Sequence, residues 1–206
     1  MKRIYSFLLG VMAIAGMLGF SPGAQSQYCK PQLQPGFWGQ GITFFSLGTF
    51  SRSSPGGDYA NQTGYEYYTG GTIVAARNTP LTVQILTNAF SSKAYSIWID
   101  LDQDGIFTAD ERLLCALDNV FSTTPWVSTL TIPCTARTGI TRLRLFFMSY
   151  QGVCPQDPCV FPGFVQGECE DYDIDIIGDF VSSFPDDTPE NFAILPKVDR
   201  TGKLTP

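Results

Sequence analysis

The sequence predicts an all-β fold, an antiparallel β-sandwich of the jelly-roll or immunoglobulin-like kind with about eight strands and with disulfides. Three observations predict it. Gly, Pro, Ser, Thr and Asn punctuate the chain roughly every ten residues, and the segments between them are short and rich in Val, Ile, Thr, Tyr and Phe. Several segments alternate: Leu81, Val83 and Ile85 share one face, and Leu143, Leu145 and Phe147 oppose Arg142 and Arg144. Alternation of this kind marks a strand with one buried and one solvated face. No window carries a sustained helical period with caps, so two packed sheets are the natural way to bury those faces.

Before the first strand, Lys2 and Arg3 precede an apolar run from Ile4 to about Phe20, which ends in small and polar residues up to Ser26. That layout reads as a secretory signal peptide over residues 1–26, leaving no membrane span once it is cleaved. The predicted strands then follow in order: 41–50, 72–76, 81–87, 94–100, 112–117, 127–132, 141–149 and 171–177. They place the domain at residues 27–178. From 179 to 206 the texture changes to four prolines among Asp, Ser and Thr, a linker or disordered tail with a short strand expected near Phe192 to Leu195. A chain that stops there reads as a fragment or as a module whose downstream neighbour is absent.

Six cysteines follow the leader, and an even number in an exported chain reads as disulfides. Zinc is disfavoured, since there is no histidine and no Cys-x2-Cys pair. Connectivity stays open among the 15 pairings that six cysteines allow. The expectation is Cys115 with Cys134 across neighbouring strands, and Cys29, Cys154, Cys159 and Cys169 stapling the chain ends.

The strand at 94–100 runs into "DLDQDGIFTADE". Counted from Asp100, it has Asp at positions 1, 3 and 5 (Asp100, Asp102, Asp104), Gly105 at 6, Ile106 at 7 for a backbone carbonyl, Thr108 at 9 and Glu111 at 12. This is the ligand spacing of a calcium loop, in which alternate carboxylates wrap a hard cation and a glycine makes the sharp turn. The bland reading is a solvated turn whose aspartates cap backbone amides. Three carboxylates crowded into five residues repel one another without a cation, which favours Ca2+. A strand precedes the loop, so the likeness to an EF-hand extends to the ligands and not to the helices.

The loop, "GITRLRL" at 139–145, "YCKP" at 28–31 and "GECEDYDIDI" at 167–176 together resemble the GEVED domain, named for a Gly-Glu-Val-Glu-Asp motif. Glu168, Glu170, Asp171 and Tyr172 match that motif, and Cys169 stands in place of its valine, which points to an extra disulfide. The resemblance implies an exported bacterial β-sandwich module of a cell-surface or extracellular protein, with the loop as a calcium site. It also offers Glu170 or Asp171 as a further ligand or a partner of the ligands, against the alternative that both simply begin the last strand. Tyr172 is expected to pack.

Several function classes fall away. Losing Lys2 and Arg3 leaves 11 basic against 19 acidic residues, a charge of −8. That field repels nucleic acid and anionic lipid. Without histidine, Ser-His and Cys-His nucleophile pairs and HExxH zinc sites are excluded, and the carboxylates are better explained as ligands than as a glycosidase pair. A non-catalytic interaction or structural module, partnered by an extracellular protein or glycan, is the leading expectation. The alternatives are a calcium-dependent, lectin-like adhesin domain using Trp38, Trp98, Trp126 and the tyrosines at 65–68, and more remotely an accessory domain of a secreted hydrolase or protease.

Overall fold

The computed structural model describes residues 28–32, 39–57, 63–89, 92–119, 124–149, 152–163, 165–179, 197–198 and 204–205. The leader at 1–26, Trp38 and the strand expected near 192–195 lie outside them. In chain order the strands are β1 (Ile42–Leu47), β2 (Phe50–Ser53), β3 (Tyr65–Ala76), β4 (Pro80–Thr87), β5 (Lys93–Ile99), β6 (Arg112–Asp118), β7 (Trp126–Thr131), β8 (Gly139–Ser149) and β9 (Gly167–Ile177). Two short strands, β10 (Lys197–Val198) and β11 (Leu204–Thr205), pair with each other.

One sheet has the order β2-β1-β4-β7 and the other β3-β9-β8-β5-β6. Their facing sides share one core: Phe45, Leu47, Val83, Ile85 and Leu130 from the first meet Tyr95, Ile97, Leu143, Leu145, Phe147, Tyr172, Ile174 and Ile176 from the second. The alternation at 81–87 and 141–149 is that of strands feeding this core. The all-β sandwich is therefore the observed architecture.

The structure departs from the sequence expectation in five places. The strand expected over 41–50 is a hairpin, with β1 turning into β2 at Gly48–Thr49. β3 begins at Tyr65, because its Gly70–Gly71 pair is a register shift inside a strand and not a break. β3 pairs with β9 in parallel, whereas the other strand pairs within the two sheets are antiparallel. β9 begins at Gly167, four residues before the predicted strand, so the charged stretch Glu168 to Asp171 is strand and is at most 2% exposed.

The fifth departure governs the site. The face of β8 that carries Arg144 was expected to be solvated, yet Arg144 is fully buried. A second core lies on that side, built from Ala94, Trp98, Phe146, Met148 and Cys169 of the sheet with Phe107, Cys154, Phe161 and Val165 of the covering loops. Two disulfides hold the cover, Cys29–Cys159 with Cα atoms 5.5 Å apart and Cys115–Cys154 at 5.6 Å. They close loops of 130 and 39 residues. In a chain-entropy description such bridges destabilise the unfolded chain by about 5 and about 4 kcal/mol.

The expected Cys115–Cys134 pair is thereby corrected. Cys115 neighbours core-facing Leu114 and so turns outward to the cover, while Cys134 follows β7 in the other sheet and is an exposed free thiol. Cys169 forms no extra disulfide either: it is a free thiol inside the second core, its pKa pushed up by burial.

Arg144 joins cover to sheet. Its Nε donates to Asp171 Oδ1 at 2.7 Å and its Nη2 to Asp171 Oδ2 at 2.8 Å, directly across the β8–β9 register. The remaining N–H groups donate to the Cys29 carbonyl at 2.7 Å, the Pro158 carbonyl at 2.6 Å and Cys29 Sγ at 3.2 Å. Breaking one side of such a pair strands a buried charge, so Arg144→Met is expected to lose about 3–5 kcal/mol of stability in urea denaturation. Arg144→Met combined with Asp171→Leu should recover part of that loss, because no unpaired carboxylate is left behind.

Candidate metal centre

The loop 100–111 is the connection of the β5–β6 hairpin. β5 delivers Asp100 into a fully buried position, where its backbone N–H donates to the Arg142 carbonyl at 3.0 Å and its carbonyl accepts from Thr141 Oγ1 at 2.9 Å. From there the chain reverses through two left-handed residues, Gln103 at φ 58° and Gly105 at φ 81°. Glycine adopts this conformation without strain, while a glutamine needs compensation. The Gln103 amide supplies it, donating Nε2–H to the carbonyls of Arg137 at 3.2 Å and Thr138 at 3.3 Å. Arg137 returns the contact, with Nη1 donating to the Asp102 carbonyl at 2.7 Å.

Asp100, Asp102 and Asp104 each present a carboxylate oxygen within 4.8 Å of the others. Asp100 is buried and its two partners are exposed, so the cluster opens to solvent on one side. Backbone amides aim the carboxylates: Asp104 N–H donates to Asp100 Oδ1 and Asp102 Oδ1, both at 3.2 Å, Gly105 N–H to Asp100 Oδ2 at 3.0 Å, and Ile106 N–H to Asp104 Oδ1 at 2.8 Å. Ile106 itself is exposed.

The other residues singled out by spacing serve the loop differently. Thr108 and Glu111 form a capping box around a single 3-10 turn, with Glu111 Oε2 accepting from the Thr108 N–H at 2.8 Å and hydroxyl at 3.2 Å. Glu111 Oε1 accepts the Leu101 N–H at 2.7 Å. Glu111 is thus a buried clasp joining the two ends of the loop.

Glu170 and Asp171 do not join the aspartate cluster. Asp171 is filled by Arg144, by Tyr65 Oη at 2.9 Å and by Arg142 Nη1 at 3.4 Å. Glu170 points to the opposite side of β9, since neighbouring side chains alternate across a strand. There it accepts from the Tyr172 hydroxyl, while its Oε1 is buried with no hydrogen-bond partner among the described residues. Tyr172 packs, as expected, with Phe45, Phe50 and Tyr68. Nearby Glu168 Oε2 reaches across the sandwich to the N–H of Ile42 at 2.6 Å and of Gly57 at 3.2 Å.

Two participants carried only faint sequence signals. Tyr28, beside Cys29, donates its phenol to Asp100 Oδ2 and stacks 5.0 Å from Phe107, the eighth residue of the loop. Arg144 was visible only as the polar side of an alternating strand. Its guanidinium lies 4.7 Å over the Phe107 ring.

The GEVED domain family matches residues 94–175, a stretch that starts in β5, contains the loop and ends in β9. The resemblance read from the motifs is borne out over that span. No curated protein matches the chain.

Glu170 makes a pH prediction. Burial, then the charge of Glu168, pushes its pKa up to about 8. A carboxyl titrating higher in the fold than in the unfolded chain stabilises fully below the ordinary carboxylate range, and that contribution disappears as pH rises through about 8. The Tm of the protein should therefore fall between about pH 5 and 8.5, this group contributing at most about 1.4 kcal/mol per pH unit. Glu170→Gln should flatten the profile; an unchanged slope would assign the dependence to another group.

Proposed function

We propose, from the match of residues 94–175 to the GEVED domain family, that the chain is a non-catalytic, exported module whose β5–β6 loop binds one calcium ion. The observation that carries the reading is the convergence of Asp100, Asp102 and Asp104 within 4.8 Å on a loop already closed by its own backbone. A hard cation favours carboxylate and carbonyl oxygens, and a loop ordered beforehand loses little entropy on binding it. Glu111 and Thr108 would support the loop, with the three aspartates as the direct ligands. Calcium would neutralise the crowded carboxylates and tighten the hairpin.

An oxidising compartment outside the cytoplasm fits the two disulfides. Among the described residues no helix is long and apolar enough to cross a membrane. The partner is proposed to be an extracellular protein. Glycan binding draws less support, because the described aromatics Trp98, Trp126, Tyr65 and Tyr67 are engaged elsewhere: Trp98 is fully buried, Trp126 packs on Tyr95, and the hydroxyls of Tyr65 and Tyr67 bond to Asp171 and Asp173.

Extracellular calcium modules have Kd near 10⁻⁴–10⁻³ M. At about a hundredfold excess over Kd, the ion should add about 2.7 kcal/mol of stability. Thermal melts of the full chain in chelator and then in excess calcium should show a reversible rise in Tm, and Asp102→Ala/Asp104→Ala should abolish it. A Tm indifferent to calcium, with no metal found by elemental analysis, would sink the proposal.

A further inference from the structure

The segment at Tyr28–Pro31 lies against the outer face of the five-stranded sheet at several points of one small region. Cys29 is bridged to Cys159, and its carbonyl and sulfur accept from Arg144. One residue before, Tyr28 donates its hydroxyl to Asp100 Oδ2, with its ring beside Phe107 and 4.7 Å under the Arg142 guanidinium. Asp100 Oδ2 also accepts the Gly105 N–H that closes the loop. The phenol therefore bears on the one aspartate of the cluster that is buried, and on the oxygen that holds the turn.

From this we infer that Tyr28 is a positioning residue for the loop, and that the Cys29–Cys159 bridge acts on the loop through it. A hydrogen bond to a carboxylate is strong and directional, and it fixes the Asp100 rotamer in the orientation that receives Asp104 N–H on the other oxygen. The bridge keeps the phenol at high effective concentration beside its acceptor, so the contact is made without first ordering a free segment. The order of the loop is in this way set by residues more than 70 positions away in sequence. The inference concerns the closure of the loop and rests on the calcium reading only for the affinity that follows.

Two measurements on the full chain test it. Hydrogen exchange at the Asp104 and Gly105 amides, without metal, reads loop order; calorimetric titration with calcium reads affinity. Tyr28→Phe keeps the ring and removes the donor, Cys29→Ser/Cys159→Ser frees the segment, and Cys115→Ser/Cys154→Ser is the control that opens the other bridge. We expect the first two to speed exchange of those amides about tenfold relative to the β8 and β9 amides and to raise the calcium Kd about tenfold, with the control changing neither ratio. Loop exchange in Tyr28→Phe equal to that of the unaltered chain, or the same acceleration in both bridge variants, would overturn the inference. If the unaltered chain binds no calcium while the exchange difference persists, the calcium reading fails and the positioning role stands. Calcium bound by both the unaltered chain and Tyr28→Phe with the same Kd, together with equal loop exchange, overturns the positioning role and leaves the calcium reading standing.

Discussion

The arrangement depends on one buried ion pair, Arg144 with Asp171. Moving either ion out of water costs several kcal/mol, and a pair at that depth is tolerable only when every donor has an acceptor. Here the guanidinium places two hydrogen bonds on Asp171, two on backbone carbonyls and one on a cysteine sulfur. Two of the carbonyl and sulfur acceptors belong to Cys29 and the third acceptor to Pro158, so satisfying the arginine requires both covering segments to be in place. The disulfide between Cys29 and Cys159 joins those same segments. Without the cover, Trp98, Phe146 and Met148 would face water beside an unsolvated charge, and the second core would have no reason to exist.

The period-two geometry of a strand explains why a short acidic motif does so much in this fold. On β9, Asp171 and Cys169 face the cover, while Glu168 and Glu170 face the space between the sheets. Glu168 crosses to amides at the start of β1 and at Gly57, so one strand ties the cover to one side and the second sheet to the other. Gly167 opens the motif because nothing larger fits: a Cβ there would lie 2.3 Å from the Phe147 carbonyl oxygen. The match of the family over 94–175 begins and ends in the strands that frame these contacts.

Much of this was legible in the sequence, and what was hidden had a common cause. Alternation at 81–87 and 141–149 revealed strands because one face of each packs in the main core. The loop was legible because its ligand types and spacing are local. Arg142 and Arg144 looked alike as polar residues opposite an apolar face, yet Arg142 is 16% exposed at its side chain and Arg144 is 0%. The difference comes from chain segments 115 and 14 residues away, which no periodicity reports. The same blindness misplaced the start of β9, where Glu168 and Glu170 fall before the predicted strand although both are buried within it. It also misassigned Cys115, whose partner is decided by which sheet its strand joins.

Glu111 changes what the loop can be. In the reading from spacing, the twelfth residue closes around the ion; in the structure both its oxygens are occupied by amides at the two ends of the loop. A loop closed in this way does not wait for metal to bring its ends together. Gln103 and Arg137 brace it against the segment before β8, and Tyr28 and Phe107 brace it against the cover. A cation entering between Asp100, Asp102 and Asp104 would meet carboxylates already aimed by amides of the loop. The consequence for the proposed ion is a structural role: it would relieve repulsion among the crowded carboxylates and raise the cost of opening the hairpin.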